Sequence, residues 1–166
     1  MPVDASTLRM HLDYSGWASA RLMEAARPLN AEELSRDMHT SHESLLSTLA
    51  HIFGADRIWL DRIHGLLRTA GFDPGETVTL EWLAREWPAL HTRWADWAAG
   101  LTDADVRGVF PYRDLKGNPY ESPIWQVVLH VVNHASVHRG QVVTMLRQLG
   151  HVPPSTDLIA YYRVLE

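Results

Sequence analysis

Four long segments with apolar residues at helical spacing constrain the fold of this 166-residue chain most strongly. Over residues 4–26, 41–67, 79–101 and 123–150, apolar side chains recur every three or four positions. That spacing lines them up along one face of an α-helix. Because each such face must be buried against another element, the sequence predicts an all-α protein built as a four-helix bundle, with residues 1–166 forming a single domain.

Capping residues mark where these helices start and stop. Serine and threonine favour the N-cap, proline the first turn and glycine the position after a helix. Pro123 suits the first position of the fourth helix, which Gly150 ends, and Gly65 and Gly71 bracket the end of the second. The predicted N-caps of the second, third and fourth helices are Ser41 or Ser44, Thr79, and Ser122.

The connections between the helices are long. Residues 27–40 and 102–123 exceed what a minimal up-and-down bundle needs, so we expect at least one crossover connection. Within residues 105–121, aromatic and β-branched residues flank Lys116-Gly117-Asn118-Pro119, which predicts a small, irregular β-hairpin before the last long helix. Residues 157–162 are expected to form one short helical turn.

Composition excludes several classes of function. A net charge of −5 and the lack of a lysine or arginine block argue against a nucleic-acid surface. Neither a membrane-length apolar run nor a secretion signal is apparent, so we expect no membrane partner and a cytoplasmic location. The chain contains no cysteine, which excludes disulfides, thiolate ligands and a cysteine nucleophile. Sulfur chemistry would therefore need a thiol from a small molecule.

The fourth helical segment carries a stripe of histidines. His130, His134 and His138 are spaced by four residues, and Gln141 continues the line. Four residues of helix return a side chain to within about 40° of its starting direction, so these imidazoles share one stripe. Two neutral imidazoles at this spacing commonly bind one divalent metal. The alternative is a helix that simply exposes its histidines.

The candidate for a third ligand is a histidine on another helix. His51 lies in the middle of the second helical segment, at the flank of its apolar stripe, where it can face a neighbouring helix. The alternative for His51 is a hydrogen-bonded core histidine. An all-imidazole site suits zinc, nickel, copper or iron. Histidines in loops or near helix ends are interpreted as solvated: His39, His42, His91 and His151.

Two buried charges and one glycine carry further predictions. Asp56 and Arg139 project toward apolar faces by helical phase, and we expect them to form an ion pair between the second and fourth helices. The alternative is that Arg139 reaches a carbonyl or a partner subunit. Gly140 is expected to permit close approach of a neighbouring helix. Large aromatics that are either core or pocket lining are Trp17, Trp59 and Trp125.

Together these motifs resemble those of the DinB family over nearly the whole chain. The motifs are Tyr14-x-x-Trp17, Leu49-Ala50-His51 with Trp59, His130-x-x-Asn133-His134-x-x-x-His138-Arg139-Gly140-Gln141, and Leu149-Gly150-x-x-Pro153-Pro154-x-x-Asp157. The resemblance implies a four-helix bundle of unusual connectivity, a homodimer, and a divalent metal (zinc, nickel or iron) held by His51, His134 and His138. His130 and Gln141 then become candidates for supporting the ligands.

Some members of the resembled family are thiol-dependent transferases or isomerases. The resemblance therefore implies a metal-dependent transferase that acts on a small molecule with a low-molecular-weight thiol as cosubstrate. The enzyme class that it suggests is a thiol S-transferase or isomerase. The alternative is a non-catalytic metal-binding or stress-response bundle. A closed four-ligand site that includes His130 would favour the second function, and an open position beside a pocket the first. No catalytic residue is assigned.

Overall fold

The four predicted long helices are present in the computed structural model, which describes residues 3–66 and 78–166. Within the described ranges, two short helices and one two-stranded antiparallel sheet lie between the long helices, and a third short helix follows the last of them. The elements are α1 (Ala5–Ala26), α2 (Ala31–Ser35), α3 (Leu45–Ile63), α4 (Leu80–Ala99), α5 (Asp103–Arg107), β1 (Val109–Arg113), β2 (Pro119–Pro123), α6 (Ile124–Gln148) and α7 (Leu158–Tyr162).

Side-chain caps fix the starts of three long helices. The side chain of Asp4 accepts a hydrogen bond from the backbone N–H of Thr7, Ser44 does the same for Ser47, and Thr79 for Trp82. Ser44, rather than Ser41, therefore begins α3, and the predicted cap at Thr79 is confirmed. Each cap satisfies a backbone donor that the first helical turn leaves free.

The predicted cap at Ser122 is wrong. Ser122 lies in β2 opposite Phe110, and α6 starts after Pro123 without a side-chain cap. The backbone N–H of Ile124 instead donates to the carbonyl oxygen of Gly108 at 3.1 Å. The hairpin thus continues directly into the helix, and its own backbone satisfies the first helical donor.

Each long helix packs mainly against two of the other three. The contacts run from α1 to α4, from α4 to α3, from α3 to α6, and from α6 back to α1. Helices α1 and α3 therefore lie diagonally across the bundle, as do α4 and α6. Both long connections cross the bundle, which confirms the predicted crossover topology.

The hairpin begins later in the chain than predicted. Strands β1 and β2 pair antiparallel with Tyr112 opposite Tyr120, and Gly117 in the turn has φ of 86°. Residues 105–107, assigned to the hairpin from sequence, belong instead to α5, where Thr102 and Asp105 form a capping box. That reciprocal pair of hydrogen bonds stabilises a helical turn over an extended start.

The helix ends follow their glycines. Helix α3 ends at Ile63, earlier than predicted, and Gly65 follows with φ of 76°. Leu67 and Gly71, used in the predicted boundary, lie outside the described residues. Gly150 has φ of 85° after α6, as expected for a terminating glycine, and the predicted turn near the C-terminus is α7. Among the described helices, none combines the length and apolarity that crossing a bilayer requires.

Candidate metal centre

Packing of α3 against α6 brings the predicted ligands together. The Nε2 atoms of His51 and His134 lie 3.1 Å apart. Between neutral imidazoles at that distance, one Nε2–H donates to the other nitrogen. Both rings are only half-buried, so the pair sits at the edge of the core and faces outward from it. Two helices that contact along their length thus supply one nitrogen each to a common point.

His138, the third predicted ligand, lies beside both of these rings. Its ring centroid lies 4.5 Å from that of His51 and 4.6 Å from that of His134. The Nδ1 atom of His138 is 2.8 Å from Oε1 of Gln141. Since an amide oxygen only accepts, Nδ1 carries the proton and donates, which leaves the lone pair on Nε2. Gln141 in turn donates from Nε2 to the hydroxyl of Ser41 at 3.3 Å.

His42 also joins this cluster, although its position before a helix predicted a solvated side chain. Its ring stacks on that of His51 with centroids 3.7 Å apart. The ring nitrogens that His42, His51 and His138 offer all lie within 4.8 Å of one another. Among the described residues this is the group placed to hold a metal ion, and the predicted ligand His134 is not part of it. The sequence signal for His42 was its place two residues before the Ser44 cap, directly beside the first turn of α3.

His130 lies to one side of the cluster. Its ring is 6.0 Å from that of His134 and meets the Trp59 ring edge-on at 5.3 Å. Burial and then the charge of Arg62 lower the pKa of His130. The residue as a whole is exposed. His130 thus lies beside the histidine cluster and closer to the rim of a neighbouring cavity.

The electrostatics of the cluster favour neutral rings. Burial, followed by repulsion from His42, His138 and His134, lowers the pKa of His51 to about 4. Burial and His138 also lower the pKa of His42, and the same two causes act first on that of His134. Imidazoles with depressed pKa values keep their lone pairs at neutral pH, and metal binding requires such lone pairs.

The separation of one nitrogen pair is compatible with two ligands on a tetrahedral divalent ion. Two nitrogens bound at about 2.0–2.1 Å to such an ion lie roughly 3.3 Å apart, close to the observed separation between His51 and His134. The Nδ1 atom of His134 is buried and has no hydrogen-bond partner. The Asp56 carboxylate opposes, but does not reverse, the lowering of the pKa of His134. His134 therefore lacks the hydrogen-bonded support that ligating histidines usually have.

A cavity of about 650 Å³ opens beside His51. It runs along one face of α3, and most of its walls are apolar. Such a volume accommodates a small organic molecule. Its lining residues are Leu46, Ser47, Ala50, His51, Gly54, Ala55, Ile58, Trp59, Arg62, Val78 and Leu115. Trp59 therefore contributes to a pocket, whereas Trp17 packs against Tyr14 and Tyr161 and Trp125 against the core.

The expected ion pair between Asp56 and Arg139 is wrong. Arg139 donates to Ser15 Oγ at 3.0 Å and to Ser136 Oγ at 2.8 Å, and a weaker bond reaches the Ser15 carbonyl oxygen. Asp56 instead accepts from the indole N–H of Trp87 at 3.3 Å. Arg139 therefore faces α1 and Asp56 faces α4. The alternative prediction, that Arg139 reaches a carbonyl, describes part of what is seen.

The close helix approach predicted for Gly140 is also wrong. A methyl group built on Gly140 would meet nothing within 4 Å, whereas one built on Gly16 of α1 would lie 3.3 Å from Nδ1 of His91 on α4. The glycine that permits close contact with a neighbouring helix is therefore Gly16 in α1. A glycine in a helix costs stability, so close approach at Gly16 gives it a structural reason.

Comparison with known proteins bears on the fold and the family. The model of the DinB family matches residues 1–164. The protein named DinB from Bacillus subtilis (strain 168) is 22% identical over 158 residues, which cover 90% of each chain. The crystal structure of a DinB-like protein from Bacillus cereus ATCC 10987 superposes with a TM-score of 0.73 at 20% identity, covering 93% of this chain and 99% of that one.

Proposed function

The chain belongs to the DinB family, and we propose that it is a divalent-metal-binding enzyme, a transferase that joins a low-molecular-weight thiol to a small molecule. The observation that carries this proposal is the 3.1 Å approach of the His51 and His134 Nε2 atoms beside a cavity of about 650 Å³. A nitrogen cluster alone would suit a structural ion. The adjoining cavity gives a reactant access to it.

His51, His134 and His138 are the proposed ligands, with the metal being zinc, nickel or iron. Gln141 holds His138 in the tautomer that leaves the lone pair on Nε2. The depressed pKa values of His51 and His134 keep both rings available at neutral pH. When bound, a divalent metal supplies Lewis acidity that lowers the pKa of a coordinated thiol. The chain itself has no cysteine, so the sulfur comes with the cosubstrate.

A second candidate function rests on His42. If its imidazole completes a four-nitrogen set with the three proposed ligands, the site is closed and the metal is structural. The nitrogens of His42, His51 and His138 lie within 4.8 Å of one another, which favours this alternative. We nevertheless propose the set His51, His134 and His138, because the His51 and His134 Nε2 atoms are 3.1 Å apart, near the separation of two ligands on one ion. The remaining position is then open to the cavity.

Cobalt substitution separates the two functions. Cobalt(II) with a coordinated thiolate gives an intense charge-transfer band in the near ultraviolet. We expect the band when glutathione, bacillithiol or mycothiol is added to the cobalt-loaded protein at neutral pH. It should vanish in His138→Ala and persist in His39→Ala, whose side chain is 89% exposed. Absence of the band with all three thiols, and no consumption of them with an electrophilic acceptor, would favour the structural site.

Assembly and location complete the proposal. The protein is proposed to work as a homodimer in the cytoplasm on a small-molecule substrate, without nucleic acid. Five of the seven tryptophans are only partly buried in the single chain, and a partner subunit would cover some of them. The net charge of −5 disfavours contact with phosphate backbones.

A further inference from the structure

The cavity beside His51 contains one cation that lacks an anionic partner. Arg62 lines the cavity on the same face of α3 as His51. Its Nε atom is buried without a hydrogen bond, and among the described residues the structure gives its guanidinium no carboxylate within ion-pair distance. Burial lowers the pKa of Arg62. Arg62 is partly buried, and a charge that loses hydration without gaining an ion-pair partner favours a ligand that supplies one.

Aromatic rings hold this guanidinium in place. Its carbon lies 4.6 Å from the ring centroid of Trp59 and 5.8 Å from that of Tyr112. Contacts of this kind orient a guanidinium while leaving its N–H donors unused. The side chain is therefore fixed in direction and still able to donate two parallel hydrogen bonds.

The acid whose charge raises the pKa of Arg62 makes its hydrogen bonds to other groups. Asp114 influences Arg62 only through space. One of its oxygens accepts from the backbone N–H groups of Lys116 and Asn118 at 2.8 and 2.9 Å, and the other accepts from the Asn118 amide at 2.9 Å. These bonds build the hairpin turn and hold Asp114 there, and within the described part of the chain no hydrogen bond joins it to the arginine.

We propose that the cavity binds an elongated organic acid, whose carboxylate pairs with Arg62 while its apolar body extends along α3 toward His51. Eleven residues separate the two side chains, about 16 Å of helix rise between their Cα atoms. The walls between them are apolar, with Ala55 and Ile58 at successive helical turns. A planar guanidinium matches a carboxylate with two hydrogen bonds. This inference rests on the proposed function, since it places the other end of the ligand at the metal centre.

Binding to metal-free protein tests the inference separately from the metal chemistry. After treatment with EDTA, calorimetric titration with octanoate and with octanol compares an acid and a neutral molecule of the same chain length. We expect Arg62→Met to weaken octanoate binding at least about tenfold, as loss of a charge-assisted hydrogen-bonded pair implies. Octanol binding should not change, which shows that the cavity is intact. Arg62→Lys should lose less than Arg62→Met.

Arg85→Met is the matched control, because Arg85 is an exposed arginine on α4 outside the cavity lining and its loss changes the net charge equally. Glutathione and cysteamine distinguish the source of the carboxylate. If Arg62→Met weakens glutathione binding but not cysteamine binding, the carboxylate that pairs with Arg62 belongs to the thiol cosubstrate. If it weakens octanoate binding alone, that carboxylate belongs to the small molecule that accepts the thiol. If Arg62→Met binds octanoate and glutathione as the unchanged protein does, the inference is overturned, whatever the metal content.

Discussion

The imidazole ring of His42 stacks on that of His51, with their centroids 3.7 Å apart and their planes inclined by 21°. One residue lies in the loop before α3 and the other in the second turn of that helix. The stacking places a loop residue against a proposed ligand on the cavity wall. His42 is therefore the residue that decides whether the site has three or four imidazoles, and hence whether it is open to a reactant.

The hydrogen bond from His138 to Gln141 should support metal binding. Gln141→Leu removes the acceptor at 2.8 Å and frees the His138 ring to change tautomer and direction. We expect metal affinity to fall about 10- to 100-fold, the usual effect of losing such a support. Competition with a chelating dye measures this. Gln148→Leu, an exposed position on the same helix, should retain full affinity, and an equal loss in both variants would argue against a specific role for Gln141.

The stability of the metal-free protein should depend on pH through His51. The pKa of His51 falls to about 4 in the folded protein, from an ordinary value near 6.5. Between these values the unfolded chain binds a proton that the folded chain does not, so the free energy of unfolding decreases as pH falls from about 6.5 to about 4. Urea titrations at several pH values should show this decrease. His51→Gln should flatten it, whereas His39→Gln should leave it unchanged.

Arg139 is expected to matter for stability. Its guanidinium is buried and donates to hydroxyl groups on α1 and α6. Arg139→Ala should lower the free energy of unfolding by about 3 kcal/mol, because buried partners lose their hydrogen bonds and a cavity forms. Arg147→Ala, at an exposed position near the end of α6, should change it by less than about 0.5 kcal/mol. Similar losses in both would show that the buried network contributes little.

The proposed homodimer predicts a mass of about twice 18.8 kDa. Sedimentation equilibrium at micromolar concentration measures it directly. The measurement should be made with and without metal, so that assembly and metal loading are separated. A monomer that persists at high concentration would contradict the homodimer.

Local patterns predicted much of this fold. The period of the apolar residues located the four long helices, and side-chain caps at Asp4, Ser44 and Thr79 explain three of their starts. Ser122 was misjudged because a cap depends on what precedes it, and here a strand runs directly into the helix. The crossover topology followed from the lengths of the connections alone.

Predictions that required knowledge of neighbouring helices were less successful. Helical phase showed that the side chains of Asp56 and Arg139 point inward. Each long helix has two neighbouring helices, however, and phase does not determine which neighbour a side chain contacts. Likewise, the position of His42 depends on a loop in which His39 and Glu43 adopt φ values of 57° and 61°. Such left-handed backbone at non-glycine residues is uncommon and is not evident from spacing.

Elemental analysis of His51→Ala, His134→Ala and His42→Ala tests the central claim most directly. The unchanged protein should contain about one divalent metal per chain, as a single three-histidine site requires. His51→Ala and His134→Ala should each lose most of it, and His42→Ala should retain it. Loss in His42→Ala with retention in His134→Ala would move the site to His42, His51 and His138. Full retention in both His51→Ala and His134→Ala would contradict the proposed metal centre.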